Sequence, residues 1–190
     1  MSLKGSKTTA DYLPWDTMQV LVQKLFKNKD HKFALLIAMG SYTGLRISDI
    51  RSLGWTDVLG TNELQVVERK TKKVRTIHIH DELREYIQMA WDQTLFRDSK
   101  YIFTNKHGRT YCIQHINRKL KVYNDSYKLG IRFSTHSFRK TFGRRIWEQN
   151  KHSEKSLILL SQIFNHSSIS ITKRYLGIRD EEIKDVYLNL

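Results

Sequence analysis

The last quarter of the chain contains three short blocks with His, Arg and Tyr at fixed offsets: Thr135-His136-Ser137-Phe138-Arg139, Asn165-His166-Ser167-Ser168 and Arg174-Tyr175-Leu176. His136 and Arg139 are three positions apart, and residues at this spacing lie on one face of a helix. Such a pair can hold one anion together, and the hydroxyl of Tyr175 would be a nucleophile beside it. In a basic protein we expect that anion to be a phosphate of a nucleic-acid backbone.

Each of these residues also has an ordinary structural interpretation. A single tyrosine is more often a packed or rim residue than a nucleophile, and a single histidine is most often hydrogen-bonded in the core or at the surface. The functional interpretation therefore depends on the whole set of residues and on the motifs that precede it.

The composition indicates a globular protein with a polyanionic partner. The 190 residues suffice for one or two domains. The hydrophobic content of 39% and the charged content of 27% are not those of a disordered chain. Lys and Arg number 33 against 19 Asp and Glu, which gives a net charge of +14. This excess favours nucleic acid first and an anionic membrane surface second, with a solvated basic surface as the third interpretation.

The cysteine and hydropathy patterns place the chain in a reducing, aqueous compartment. Its single cysteine, Cys112, excludes an internal disulfide and a cysteine-based zinc site. The longest apolar run, residues 33–39, is too short to span a bilayer, and no signal peptide is visible. We therefore predict a cytoplasmic protein without membrane association.

Hydrophobic spacing and capping residues predict a mainly helical chain around one hairpin, an α+β fold. Gly44 predicts the end of the second helix, and Asn165 tolerates the left-handed conformation at the end of a later one. The first predicted helix follows a cap at Asp16 or Thr17 and runs to about residue 27. The others span residues 30–42, 46–53, 81–95, 113–127, 135–149 (capped by Thr135), 154–164 (capped by Ser153), a short helix opened by Ser168, and 180–188.

Residues 64–80 predict an antiparallel hairpin with a lysine-rich tip. Residues 74–80 alternate with period two, and residues 56–59 would add a third strand if they pair across the turn at residues 60–62. The tip carries Lys70, Lys72 and Lys73 and is either a solvated turn or a finger that reaches a phosphate. His78 and His80 share a strand face, but no third ligand lies at a spacing typical of zinc sites, so no metal site is predicted.

Four blocks in this chain resemble, in the same order, the motifs of the tyrosine recombinases of the phage-integrase type. Residues 43–50 (TGLRISDI) resemble the first arginine motif, Lys70-Thr71 the catalytic lysine, residues 136–139 (HSFR) the His-x-x-Arg box, and residues 165–168 (NHSS) with Tyr175 the final His and nucleophilic Tyr. One short motif recurs by chance, whereas four in order over most of the chain are specific.

Three positions depart from the family pattern. Asp49 stands where the family often has Glu, Asn165 where it usually has Gly, and Phe138 where Leu is more usual. None of these changes removes a group that must act on phosphate.

The resemblance implies site-specific cleavage and rejoining of DNA strands through a covalent 3′-phosphotyrosine, without cofactor, metal or ATP. It implies double-stranded DNA as partner, self-association as a tetramer on DNA, and action at the nucleoid. Lys70 is preferred over its lysine neighbours because it precedes Thr71. The implied catalytic residues are Arg46, Lys70, His136, Arg139, His166 and Tyr175, and the candidate DNA contacts are Lys72, Lys73 and Arg75.

The predicted domain organisation is a polar lead-in over residues 1–13, partly vector-derived, and a catalytic domain over residues 14–190 without the family's amino-terminal DNA clamp.

Three other functions stay open. A type IB topoisomerase has a related active site, and a non-catalytic DNA-binding module can share the fold. A basic protein-interaction domain is the third. The short segment after Tyr175 favours a recombinase, because such tails commonly dock onto a neighbouring protomer.

Overall fold

A computed structural model describes residues 10–70, 72–94 and 99–189. Within these ranges the chain is mainly helical with a small antiparallel sheet, which confirms the predicted fold class. In chain order the elements are α1 (Trp15–Lys27), α2 (His31–Thr43), α3 (Ile47–Ile50), a 3-10 turn (Trp55–Asp57), β1 (Glu63–Val67), β2 (Val74–His78), α4 (Asp81–Asp92), α5 (Ile113–Ser126), α6 (Thr135–Gln149), α7 (Glu154–Phe164), α8 (Ile169–Leu176) and α9 (Ile178–Leu188).

The sheet of the described chain has two strands, so the optional third strand over residues 56–59 is wrong. Strands β1 and β2 pair antiparallel with Glu63 opposite His78 and Val67 opposite Val74. Residues 55–57 instead form the 3-10 turn. The Asp57 carboxylate accepts the Gly54 N–H at 2.8 Å, and the Trp55 ring packs 5.2 Å from that of Trp91. These contacts hold the backbone in a turn, whereas strand pairing would need an extended backbone.

Two predicted helix caps are wrong by one to three residues. Helix α1 begins directly after Pro14, whose carbonyl accepts the Met18 N–H at 2.9 Å, so Asp16 and Thr17 lie inside the first turn. Proline is suited to a helix start because the first N–H groups have no partner inside the helix.

At the start of α6 the cap is Ser134 and not Thr135. The Ser134 hydroxyl accepts the His136 N–H at 3.3 Å, and the Ser137 hydroxyl accepts the Ser134 N–H at 3.1 Å. This reciprocal pair is a capping box. The Thr135 N–H is bound by the Asn117 side chain on α5 at 3.0 Å, so a tertiary contact holds the residue that the sequence put forward as the cap.

The remaining boundaries follow the sequence closely. Gly44 ends α2 with φ +61°, and Asn165 ends α7 with φ +51°, both as predicted. The hydroxyls of Ser153 and Ser168 cap α7 and α8. Helix α3 is shorter than predicted, α9 begins two residues earlier, and the predicted end of α4 at residue 95 lies outside the described residues.

Helix α2 is the centre of the main core and packs against α1, α4 and α6. Gly40 permits the close approach of α6, because a Cβ at this position would lie 2.6 Å from the Phe138 Cβ. A second, smaller core joins α7, α8 and the start of α9 through Leu157, Leu160, Phe164, Leu176 and Ile178. The candidate site lies where the carboxyl end of α2, the hairpin, the start of α6 and this second core meet.

The described part of the lead-in contacts α6. The Leu13 N–H donates to the Thr141 hydroxyl at 2.9 Å, and the Lys140 ammonium donates to the Ala10 carbonyl at 2.7 Å. Residues 1–9 lie outside the described residues, and the domain boundary at residue 13 stays a prediction. None of the helices in the described ranges has the length and apolar character to cross a membrane.

Candidate active site

Two arginines from different parts of the chain converge on one carbonyl oxygen. The Nη2 atoms of Arg46, after α2, and of Arg139, in α6, lie 3.1 and 3.0 Å from the Phe164 oxygen. This oxygen is available because helix α7 ends at Phe164 and the last carbonyls of a helix have no partner within it. Arg139 also donates to the Gly44 carbonyl and lies over the Phe164 ring at 4.2 Å. Both guanidinium groups are therefore held in place by the protein itself.

Tyr175 and His166 pack around the same phenylalanine. The ring centres of Phe164, His166 and Tyr175 are 5.4 to 5.6 Å from one another. The Tyr175 hydroxyl donates to the main-chain oxygen of His136 at 3.5 Å, a long hydrogen bond. The phenol therefore lies at the first turn of α6, with the arginine pair nearby.

A buried hydroxyl orients the His166 ring. His166 Nδ1 lies 3.0 Å from the Oγ1 of Thr172, a fully buried residue of α8. This contact occupies Nδ1 and makes Nε2 the nitrogen that can bind a substrate. Three residues after Thr172, the same helix carries Tyr175, so α8 holds both the nucleophile candidate and the group that positions its histidine neighbour.

The hairpin tip lies beside this cluster. The Lys70 charge makes a small contribution to the lowered pKa of His166. The Lys73 ammonium donates to the Asn165 side chain at 3.3 Å, next to His166. Lys70, Lys72 and Lys73 are exposed, and the neighbouring Thr71 lies outside the described residues.

Comparison with known proteins identifies this arrangement. The sequence profile described as the Phage integrase family matches residues 13–182. The chain belongs to the phage integrase family. It contains the catalytic domain of the tyrosine-type site-specific recombinases, which confirms the resemblance in the sequence.

Three relatives illustrate the match. The chain is 32% identical over 167 residues to the probable integrase/recombinase YoeC of Bacillus subtilis, covering 87% of this chain and 88% of YoeC. The crystal structure of XerA recombinase has a TM-score of 0.72 at 20% identity, with 97% of this chain and 66% of XerA covered. XerH site-specific recombinase, in a post-cleavage complex with palindromic difH substrate, has a TM-score of 0.68 at 16% identity, with 98% and 57% covered. The chain thus spans less than two thirds of both solved chains.

In this family member, burial shifts the pKa of the Tyr175 phenol and of one arginine. Burial raises the pKa of Tyr175 to about 12, although Arg139 and Arg46 oppose the shift, so the hydroxyl is protonated at neutral pH. Burial also lowers the pKa of Arg139 to about 10, with smaller contributions from Arg46 and Arg75. A guanidinium with this pKa stays charged at neutral pH, so the site keeps its positive field.

Both histidines of the recombinase motifs are neutral at neutral pH. Desolvation lowers the pKa of His136, and the charges of Lys140 and Arg139 lower it further. Burial, followed by Arg139 and Arg46, lowers the pKa of His166 to about 4. A neutral imidazole can accept a proton or donate one N–H hydrogen bond, and the cations around the site disfavour the charged form.

Because His166 is neutral in the folded protein, we predict that its protonation at low pH reduces the stability of the fold. Its pKa is about 4 in the folded protein against an ordinary 6.5, so between these values the unfolded chain binds more protons. Unfolding free energy should therefore decrease by roughly 2–3 kcal/mol as the pH falls from 6.5 to 4, and the loss should level off below about pH 3. Urea unfolding as a function of pH measures this loss.

The matched variant for this measurement is His166→Gln, which cannot titrate. Subtracting its pH profile from that of the wild type removes the contributions of the other histidines, including His136. The difference should slope between pH 6.5 and 4, and parallel profiles would contradict the assignment.

Arg75, a candidate DNA contact, is half-buried and points into the site. Its Nη2 donates to the Thr43 carbonyl at 3.0 Å, and its Nη1 lies 3.8 Å from the Glu68 carboxylate. The contribution of Arg75 to DNA binding stays a prediction, as do the roles of the other candidate residues.

Sequence reasoning missed Glu68 and Thr172. A signal for Glu68 is present, because it continues the inward-facing alternation of Leu64 and Val66, and a charge at such a position needs a buried partner. Thr172 gives no comparable signal, since its contact with His166 depends on how α8 packs against the end of α7.

The two hairpin histidines have structural partners. His78 Nδ1 lies 3.3 Å from the Glu63 carboxylate on the paired strand. His80 Nδ1 accepts the Glu82 N–H at 3.2 Å and so caps α4. In the described part of the chain, no group of three or more His, Cys, Asp or Glu side chains is arranged to hold a metal ion.

Proposed function

We propose that this domain cleaves and rejoins DNA strands at specific sites through a covalent 3′-phosphotyrosine. The observation that carries the proposal is the convergence of Arg46 and Arg139 on one carbonyl oxygen. The rings of His166 and Tyr175 lie against the same residue. Two guanidinium groups so placed can bind the non-bridging oxygens of one phosphate, which carry the charge that increases during transfer.

The proposed chemistry is an exchange of phosphate esters. The Tyr175 oxygen attacks phosphorus, forming a P–O bond to tyrosine while the bond to the 5′ oxygen breaks. The phenolic proton passes to the His136 ring, and the leaving 5′ oxygen takes a proton from Lys70. A 5′-hydroxyl of a second strand then reverses these steps, and no ATP is needed because the ester bond is conserved.

The charge states of the site support these roles. A phenol with a pKa raised to about 12 needs a base during attack, and the lowered pKa of His136 leaves its ring free of a proton. His166 is neutral for the same electrostatic reason, and its Nε2 would hydrogen-bond the phosphate or the attacking oxygen. The arginines take the role that magnesium has in polymerases, so the proposal requires no metal.

We further propose double-stranded DNA as the substrate and a tetramer on DNA as the active assembly. The net charge of +14 supports a polyanionic partner. The XerH recombinase, a structural neighbour, was crystallised with its difH DNA after cleavage. Because the proposed target sites lie in chromosomal or element-borne DNA, we propose that the protein acts at the nucleoid in the cytoplasm.

Trapping the covalent adduct tests the function. With a nicked suicide DNA substrate, whose cleaved end diffuses away, we expect a covalent protein–DNA complex that maps to the peptide containing Tyr175. The yield should be the same in EDTA and in magnesium, because no step uses a metal.

Three outcomes would contradict the proposal. Strong inhibition by EDTA would indicate a metal-dependent nuclease, and the absence of any adduct on DNA that is bound would indicate a non-catalytic binding module. Relaxation of a supercoiled plasmid without exchange between two sites would instead support a type IB topoisomerase.

A further inference from the structure

An acidic side chain anchors the hairpin turn that carries Lys70. In strand β1 and the residue after it, Leu64, Val66 and Glu68 face inward, following the period of two along a strand. Glu68 is 4% exposed. Among the described residues from 67 to 74 it is the one buried side chain, so its carboxylate stands where an apolar residue would ordinarily attach the hairpin to the core.

The Glu68 carboxylate lies between two arginines. One oxygen is 2.6 Å from Arg46 Nη1, and the other is 3.8 Å from Arg75 Nη1. A buried carboxylate is tolerated only where charged and hydrogen-bonded partners replace water, and arginine supplies both. Arg46 has a second contact, with the Phe164 carbonyl at 3.1 Å, which holds it on the side of α7.

The backbone of Glu68 closes the turn. Its N–H donates to the Lys73 carbonyl at 3.0 Å, and its carbonyl accepts the Lys72 N–H at 2.8 Å. The Arg69 N–H donates to the Asp49 carboxylate at 3.0 Å. Lys70 therefore lies between Glu68 and Lys72, which a backbone hydrogen bond joins. The Glu68 side chain links this part of the hairpin to Arg46, which binds phosphate in the proposed function.

We propose that Glu68 is a positioning residue that fixes the Lys70 turn relative to Arg46, and so places the proton donor at the leaving oxygen of the bound phosphate. This inference rests on the proposed function, in which Lys70 protonates the 5′ oxygen. We expect loss of the carboxylate to displace the Lys70 turn more than Arg46, because Arg46 has a second contact, with the Phe164 carbonyl.

The test compares two leaving groups in the variant Glu68→Gln. One DNA substrate has the normal 5′ oxygen at the scissile phosphate, and the other has sulfur there. A thiolate is a weaker base than an alkoxide and departs without protonation, so cleavage of the sulfur substrate does not need the donor. We expect cleavage of the oxygen substrate to fall about 30-fold or more, and that of the sulfur substrate to stay within about threefold of wild type.

The ratio of the two rates is measured within one protein preparation, so it does not depend on the fraction of variant that folds. Glu63→Gln is the matched control, because Glu63 is an exposed acid at the other end of β1 and pairs with His78. It should leave both rates unchanged. In a Lys70→Ala background, Glu68→Gln should cause little further loss, since coupled residues are not additive.

Equal losses on both substrates would overturn the inference, because Glu68 would then act through Arg46 or through the fold. Unchanged rates on both substrates would overturn it as well. Failure of the proposed function is distinguishable, since in that case the wild type itself forms no covalent adduct at Tyr175 with either substrate.

Discussion

Tyr175→Phe will form no covalent DNA complex while it binds DNA with nearly wild-type affinity. The change removes only the phenolic oxygen, which is the attacking atom in the proposed reaction. The ring keeps its packing against Phe164 and His166, at 5.6 and 5.4 Å between ring centres. The lost hydrogen bond to the His136 carbonyl is 3.5 Å long and contributes little to stability. We expect adduct formation to drop by at least about 10⁴-fold, because no other group replaces the nucleophile.

A denaturing gel of the suicide-substrate reaction measures the adduct, and a native gel of the same sample measures binding. Tyr187→Phe is the control for loss of a phenolic hydroxyl, since Tyr187 is 74% exposed on α9. It should cleave like the wild type. A covalent complex that persists in Tyr175→Phe would remove Tyr175 from the proposed role.

The fold was largely predictable because its signals are local. Helix periodicity, the capping serines at residues 153 and 168, and the left-handed residues Gly44 and Asn165 are properties of short segments, and the structure confirms them. The errors have tertiary causes. Thr135 and Ser134 are adjacent hydroxyl residues, and the contact of the Thr135 N–H with Asn117 on α5 decides which one caps α6.

The candidate site was predictable in its residue types but not in its geometry. The spacing of His136 and Arg139 predicts that both side chains lie on one helical face and bind the same anion. In the structure Arg139 is buried at 6% exposure, whereas His136 is exposed. Arg139 binds carbonyls 95 and 25 residues away in the chain, and such long-range partners cannot be read from local spacing.

The partners of Glu68 were likewise not predictable from local sequence patterns. Alternation along β1 places it inward, but its arginine partners lie 22 residues before it and seven after it in sequence. Only the docking of the hairpin onto the end of α2 brings the three charges together. Residues that position other residues therefore carry weaker sequence signals than residues that belong to a motif.

Arg139→Lys will lose most cleavage activity although it keeps the positive charge. The guanidinium contacts the carbonyls of Gly44 and Phe164 from two different nitrogens. A lysine ammonium is a single point donor and cannot span both carbonyls and also bind a phosphate oxygen. We expect a fall of about 10³-fold in single-turnover cleavage, a magnitude typical of losing one oxyanion ligand. Unfolding free energy should fall by about 1–3 kcal/mol, because a buried carbonyl loses its donor.

Single-turnover cleavage under saturating DNA separates this effect from weaker binding, and urea unfolding reports the stability cost. Arg145→Lys is the matched control on the same helix, because Arg145 is half-buried over the Trp15 ring at 5.1 Å and contacts neither carbonyl. It should retain cleavage within about threefold, since its cation–π contact contributes only to packing. Near-normal cleavage by Arg139→Lys would show that charge alone suffices at this position, and the fixed fork of the guanidinium would then have no part in binding the scissile phosphate.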